Sequence, residues 1–116
     1  MKNILIVEDN PLNQRLFSDV IKAFGAHPIK AFDAKEALDI LKHTTPDLIL
    51  MDIQLPFMSG IDLVQQIRTI SHLKHLKIIA TTAFSFEGGK ETLLQQGFDD
   101  VLFKPFDIQD LKKLCE

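Results

Sequence analysis

The sequence predicts an α/β domain in three layers, with a parallel five-stranded sheet covered on both faces by helices. Two observations predict it. Short apolar runs recur along the chain, each ended by acids, hydroxyls, Gly or Pro, as expected of strands buried on both faces. Between them lie segments with apolar residues at helical spacing, joined by short loops, and each parallel crossover needs such a helix and prefers one hand.

The first strand is Lys2-Asn3-Ile4-Leu5-Ile6-Val7, ended by Glu8-Asp9. Asn10 caps and Pro11 opens a helix on which Leu12, Leu16, Phe17, Val20, Ile21 and Phe24 recur before Gly25 closes it. A second strand runs from His27 to Ala31. Asp33-Ala34-Lys35-Glu36 then forms a capping-box pattern, and Ala34, Ala37, Leu38 and Leu41 line one face of the helix that follows. After Pro46 comes the most apolar strand, Leu48-Ile49-Leu50-Met51, which stops on Asp52. The loop from Pro56 to Gly60 leads to a helix carrying Ile61, Val64, Ile67 and Ile70. Lys77 to Thr82 is the fourth strand, ending in hydroxyls, and Gly88-Gly89 weakens and loosens the start of the helix that runs to Gln96-Gly97. Val101-Leu102-Phe103 is the fifth strand, and Asp107 caps a last helix carrying Ile108, Leu111 and Leu114. Of Phe84, Phe86, Phe98, Phe103 and Phe106, most are expected in the core, and an exposed pair would mark a partner surface.

With 116 residues, 46% of them apolar, residues 1–116 suffice for one domain and leave no room for a second. A net charge of -3 with scattered Lys and Arg provides neither a basic stripe for nucleic acid nor a polybasic membrane patch. The first apolar run breaks at Glu8, too early for a cleavable signal, and no run reaches membrane-spanning length, so a cytoplasmic location is expected. The lone Cys115 cannot form an internal disulfide, which fits a reducing compartment.

Parallel strands all end at one edge of the sheet, so Glu8, Asp9, Asp52, Thr82 and Lys104 are delivered to one rim by four strands. Three carboxylates held there repel, since two unit charges about 4 Å apart cost about 4 kcal/mol at an effective dielectric of about 20. A divalent cation resolves the conflict. Oxygen-only ligands point to a hard ion, and Mg²⁺ is favoured because it keeps waters and shares its shell with phosphate. Asp9 and Asp52 would bind it directly, with Glu8 through water. A carboxylate beside such an ion can attack phosphorus, with Lys104 drawing charge from the phosphoryl oxygens and Thr82 donating a hydrogen bond. Asp52 is the candidate acceptor. Thr81 reads as an ordinary strand residue, and His72 and His75 as part of an exposed polar loop.

Glu8-Asp9 after the first strand, Asp52 with Leu55-Pro56 and Gly60, Thr82-Ala83 and Lys104-Pro105-Phe106 together resemble the receiver domain of bacterial two-component response regulators. The resemblance spans essentially the whole chain. Ile-Val-Glu-Asp-Asn at 6–10 and Met-Asp-Ile-Gln-Leu-Pro at 51–56 are most similar to stand-alone receivers of the cell-division type and to receivers appended to hybrid kinases.

The resemblance implies a flavodoxin-like (βα)5 fold with strand order 2-1-3-4-5. It implies a phospho-acceptor rather than a general enzyme: Asp52 takes a phosphoryl group from a sensor histidine kinase or histidine phosphotransfer protein and loses it by hydrolysis. Mg²⁺ would be held by Glu8, Asp9, Asp52 and the backbone carbonyl of Ile53, with Thr82 and Lys104 assisting. The family also has a cis bond before Pro105. Output is expected through the face of the fourth helix, fifth strand and fifth helix, with phosphorylation-dependent dimerisation left open.

Three positions depart from the pattern or tune it. The family's switching aromatic, three residues before the lysine, is here Val101, so the change on phosphorylation is expected to run through Thr82, Phe84 and Phe86. Gln54 and Phe84, two residues after Asp52 and Thr82, flank the route of attacking water, and bulky Phe84 is expected to slow self-hydrolysis. Among other functions, a Mg²⁺-dependent aspartate phosphatase wants a second Asp where Gln54 stands. A flavin carrier wants a phosphate-cradling loop where Glu8-Asp9-Asn10 stands, and a degenerate receiver that only docks partners is a further alternative, although every group needed for phosphorylation is present.

Overall fold

The computed structural model describes residues 2–83, 89–104 and 106–115. Its elements, in chain order, are β1 (Asn3–Val7), α1 (Pro11–Ala23), β2 (His27–Ala31), α2 (Ala34–Leu41), β3 (Leu48–Asp52), α3 (Gly60–Arg68), a 3-10 turn (Ser71–Leu73), β4 (Lys77–Thr82), α4 (Gly89–Gln95), β5 (Asp100–Phe103) and α5 (Ile108–Cys115). All strand pairs are parallel, in the order β2-β1-β3-β4-β5. This is the flavodoxin-like order the resemblance implies. The chain moves outward from β1 in both directions, so a crevice opens at the carboxyl ends of β1 and β3, where such sheets bind ligands. The register sets Val7 beside Met51 and Asp52 beside Thr81, which brings the strand ends into line there.

Alternation along the strands divides the core in two. Leu5, Val7, Ile49, Met51, Ile78 and Ala80 pack with residues of α2, α3 and α4. Ile4, Ile6, Leu48, Leu50, Ile79 and Leu102 pack with Phe17 and Ile21 of α1 and Leu111 and Cys115 of α5. Helix starts follow their caps: Asn10 Oδ1 accepts from Leu12 N and Asn13 N, Asp33 Oδ1 from Glu36 N, and Ser59 Oγ from Asp62 N. Asp107 Oδ1 likewise accepts from Gln109 N before α5.

Helix α1 corrects the sequence reading. Leu12 and Leu16 are 78% and 53% exposed, while the buried stripe is Gln14, Phe17, Ser18 and Ile21. The cause is the strand ends. Gln14 Nε2 lies within hydrogen-bonding distance of the carbonyls of Ile6 (3.1 Å), Glu8 (3.3 Å) and Ala31 (3.0 Å), a donor that a leucine would not supply, although the Ala31 carbonyl also accepts from Glu8 N. Helix α5 differs similarly, with Ile108 exposed and Cys115 buried. Of the five phenylalanines singled out, Phe98 is core, Phe106 half-buried and Phe103 partly exposed, while Phe84 and Phe86 lie outside the described residues, as do Gly88 and Pro105. The segment around His72 contains a 3-10 turn anchored by buried Leu73, with both histidines exposed. No helix among the described residues is long and apolar enough to cross a membrane.

Candidate functional site

The carboxylates of Glu8, Asp9 and Asp52 converge at the crevice, with one oxygen of each within 4.8 Å of the others. Glu8 and Asp52 are buried and Asp9 is exposed, so the cluster opens to solvent on one side. Lys104, immediately after β5, reaches back across the sheet end. Its Nζ lies 2.9 Å from Glu8 Oε1 and 3.6 Å from Asp52 Oδ2. Three negative charges thus face one ammonium, and the remaining charge, the burial and the all-oxygen donor set suit a hard divalent ion.

Backbone groups orient the acids. Asn10 N donates to Glu8 Oε2 (3.1 Å), and Gln54 N donates to Asp52 Oδ1 (2.9 Å), leaving Oδ2 on the lysine side. Gly60 is required behind Asp52, since a Cβ there would collide with the Asp52 backbone carbonyl and lie 2.7 Å from Ile53 Cα. The Ile53 carbonyl accepts from Gly60 N (3.0 Å), which ties it to the start of α3. Thr82 is buried at the end of β4, and its carbonyl accepts from Lys104 N (2.7 Å). Val101 is buried within the core, and the Gln54 side chain is exposed.

Two supporting residues escaped the sequence reading. Gln14 sat on what looked like a polar face, and Phe17 looked like simple core, yet its ring centroid lies 5.9 Å from Lys104 Nζ and 5.3 Å from the Phe106 ring. Neither role has a local sequence signal. A cavity of about 770 Å³ between α2 and α3, lined by Leu38, Met58 and Ile70 among others, contains none of the acids. Away from the site, burial pushes the Cys115 thiol up to about 11, so it stays protonated. Burial acts to raise the Asp100 carboxyl as well, but Lys90, 2.9 Å away, and the Val101 N–H outweigh it and hold the group below its ordinary value.

The family description "Response regulator receiver domain" matches residues 4–116. The chain belongs to this receiver family. It is 42% identical over 107 residues to the polar-differentiation response regulator DivK of Brucella anthropi, covering 92% of this chain and 87% of that protein. The receiver domain of the sensor histidine kinase PA1611 from Pseudomonas aeruginosa superimposes with a TM-score of 0.89 at 34% identity, covering 97% of this chain and 93% of that one. That structure has a magnesium ion coordinated in its active site cleft. The Ssk1 receiver of Saccharomyces cerevisiae, solved with the histidine phosphotransfer protein Ypd1, matches with a TM-score of 0.86 at 33% identity, covering 97% of this chain and 84% of that one. The pocket of Glu8, Asp9 and Asp52 therefore corresponds to the phosphoaspartate and metal site of receivers. Membership also decides against the phosphatase and flavin-carrier alternatives, because a receiver catalyses only its own phosphorylation and dephosphorylation.

Proposed function

We propose that this receiver accepts a phosphoryl group on Asp52 from a histidine kinase or histidine phosphotransfer protein, in the cytoplasm, as a single receiver unit. The observation that carries the proposal is the meeting of three carboxylates within 4.8 Å with Lys104 Nζ 2.9 Å from one and 3.6 Å from another. An Asp52 oxygen attacks phosphorus, a P–O bond forms, the P–N bond to the donor imidazole breaks, and that nitrogen takes up a proton. Glu8, Asp9 and Asp52 would hold Mg²⁺, which when bound supplies charge neutralisation at the phosphoryl oxygens. Lys104 exchanges its Asp52 contact for a phosphoryl oxygen, and Thr82 donates its hydroxyl to another.

The new charge is read elsewhere on the surface. We assign output to the face of α4, β5 and α5, with the shift running from Thr82 into residues 84–96, because buried Val101 offers no swinging ring. Dimerisation through that face on phosphorylation is the form of output that needs no second partner. From its place two residues after Thr82, Phe84 is assigned the role of slowing hydrolysis of the acyl phosphate, with Gln54 two residues after Asp52 as its counterpart, so Phe84→Ala should speed loss of the phosphoryl group; an unchanged decay rate would refute this.

Acetyl phosphate tests the main proposal. A phosphate-affinity gel should show a retarded species with Mg²⁺, none with EDTA, and none for Asp52→Asn. Retardation of Asp52→Asn equal to that of the unaltered protein would overturn it.

A further inference from the structure

We propose that Phe17, braced by Phe106, is a positioning residue for Lys104. Lysine is a poor fixed charge, because its flexible stem loses rotamer entropy when held in one pose. Lys104 is nevertheless held in one place here. Its Nζ meets Glu8 on one side at 2.9 Å and Asp52 at 3.6 Å, and the Phe17 ring lies 5.9 Å away. The negative face of an aromatic ring attracts an ammonium at this range, so the ring supplies a directed contact where an aliphatic side chain would only fill space.

Phe17 can serve because it is packed on all sides. It is 2% exposed on the sheet side of α1, and Phe106 stacks on it with centroids 5.3 Å apart and planes 17° apart. The two rings come from α1 and from just beyond β5, so the stack fixes the lysine's own segment against the helix that follows the acid pair. Hydropathy explains a large apolar residue at both positions; it does not explain two stacked rings beneath the site's one ammonium. The proposal rests on the phospho-acceptor reading only for its catalytic consequence, and the ammonium's placement can be measured without phosphorylation.

The test is trace acetylation of lysines in metal-free, unphosphorylated protein, with peptide mapping that compares Lys104 with exposed Lys35. Phe17→Leu should raise relative labelling of Lys104 about threefold, the change expected from loss of one cation–ring contact. Phe106→Leu should raise it by a smaller factor and Phe106→Tyr should restore it. With Mg²⁺ saturating, Phe17→Leu should slow phosphorylation by acetyl phosphate by a similar factor of about three, while the Mg²⁺ Kd from calorimetry stays within about twofold. Ile21→Val, one turn along α1, controls for general loosening and should leave Lys104 labelling alone. Unchanged labelling in Phe17→Leu, or an equal rise in Ile21→Val, would overturn the proposal. Should Phe17→Leu not fold, the two Phe106 variants are judged by the same criterion. An unaltered protein that is not phosphorylated at all would sink the phospho-acceptor reading and leave the labelling result standing.

Discussion

The α2–α3–α4 face of the sheet is filled by aliphatic side chains and Phe98, whereas the α1–α5 face buries an amide, a hydroxyl and a phenylalanine stacked on half-buried Phe106 and leaves Leu12 and Leu16 in solvent. Both faces cover the same five strands, so sheet burial alone does not explain the difference. Helix α1 follows the acid pair directly, and its inward residues serve the strand ends: Gln14 donates to their carbonyls, Phe17 lies beneath Lys104, and Ser18 Oγ donates within the helix to Gln14 O at 2.8 Å. One face therefore holds the domain together, and the other also builds the site.

The largest effect should come from the aliphatic face. Leu63→Ala, at a fully buried position of α3, should destabilise by about 2–5 kcal/mol in urea unfolding, yet leave the phosphorylation rate of the folded fraction unchanged. A selective loss of phosphorylation would break the comparison. On the other face, Gln14→Leu should destabilise by about 1–3 kcal/mol through loss of the buried amide's hydrogen bonds to the strand ends and also weaken Mg²⁺ binding, because Glu8 is among the residues it holds. Stability lost with the Mg²⁺ Kd unchanged would reduce α1 to ordinary packing.

Leu16→Ala sharpens the contrast, with stability expected to move by no more than about 0.5 kcal/mol because the side chain is already in solvent. Phosphorylation by acetyl phosphate should be untouched. An effect confined to high pH concerns Cys115. Its folded value of about 11 exceeds the ordinary 9.0, so the native state keeps a proton that the unfolded chain releases, and stability should fall as pH rises from 9.0 to about 11. Cys115→Ala should lack that part of the decline when the two pH profiles are subtracted.

The strands were legible because full burial leaves uninterrupted apolar runs, and Glu8, Asp9, Asp52 and Lys104 were legible because parallel strands bring their carboxyl ends to one rim. Helix α1 was misread for a related reason. Periodicity scores how apolar a side chain is, and Leu12 and Leu16 score well, but the inward positions were set by carbonyls contributed from β1 and β2. Gln14 is inside because of partners remote in sequence, and no local pattern records them. The same holds for Phe17, whose apolar character was evident while its ammonium neighbour arrives from the far end of the chain. Ser59 and the turn at Ser71–Leu73 were passed over because caps and short turns carry weak signals beside a long apolar run.

The central claim is that one acidic side chain, Asp52, carries the phosphoryl group. Borohydride reduction of protein freshly treated with acetyl phosphate and Mg²⁺, followed by peptide sequencing, reads this directly, because an acyl phosphate is reduced to an alcohol and a free carboxylate is not. The account predicts homoserine at position 52 and intact acid at 8 and 9. Reduction at Glu8 or Asp9 with Asp52 unchanged would contradict it.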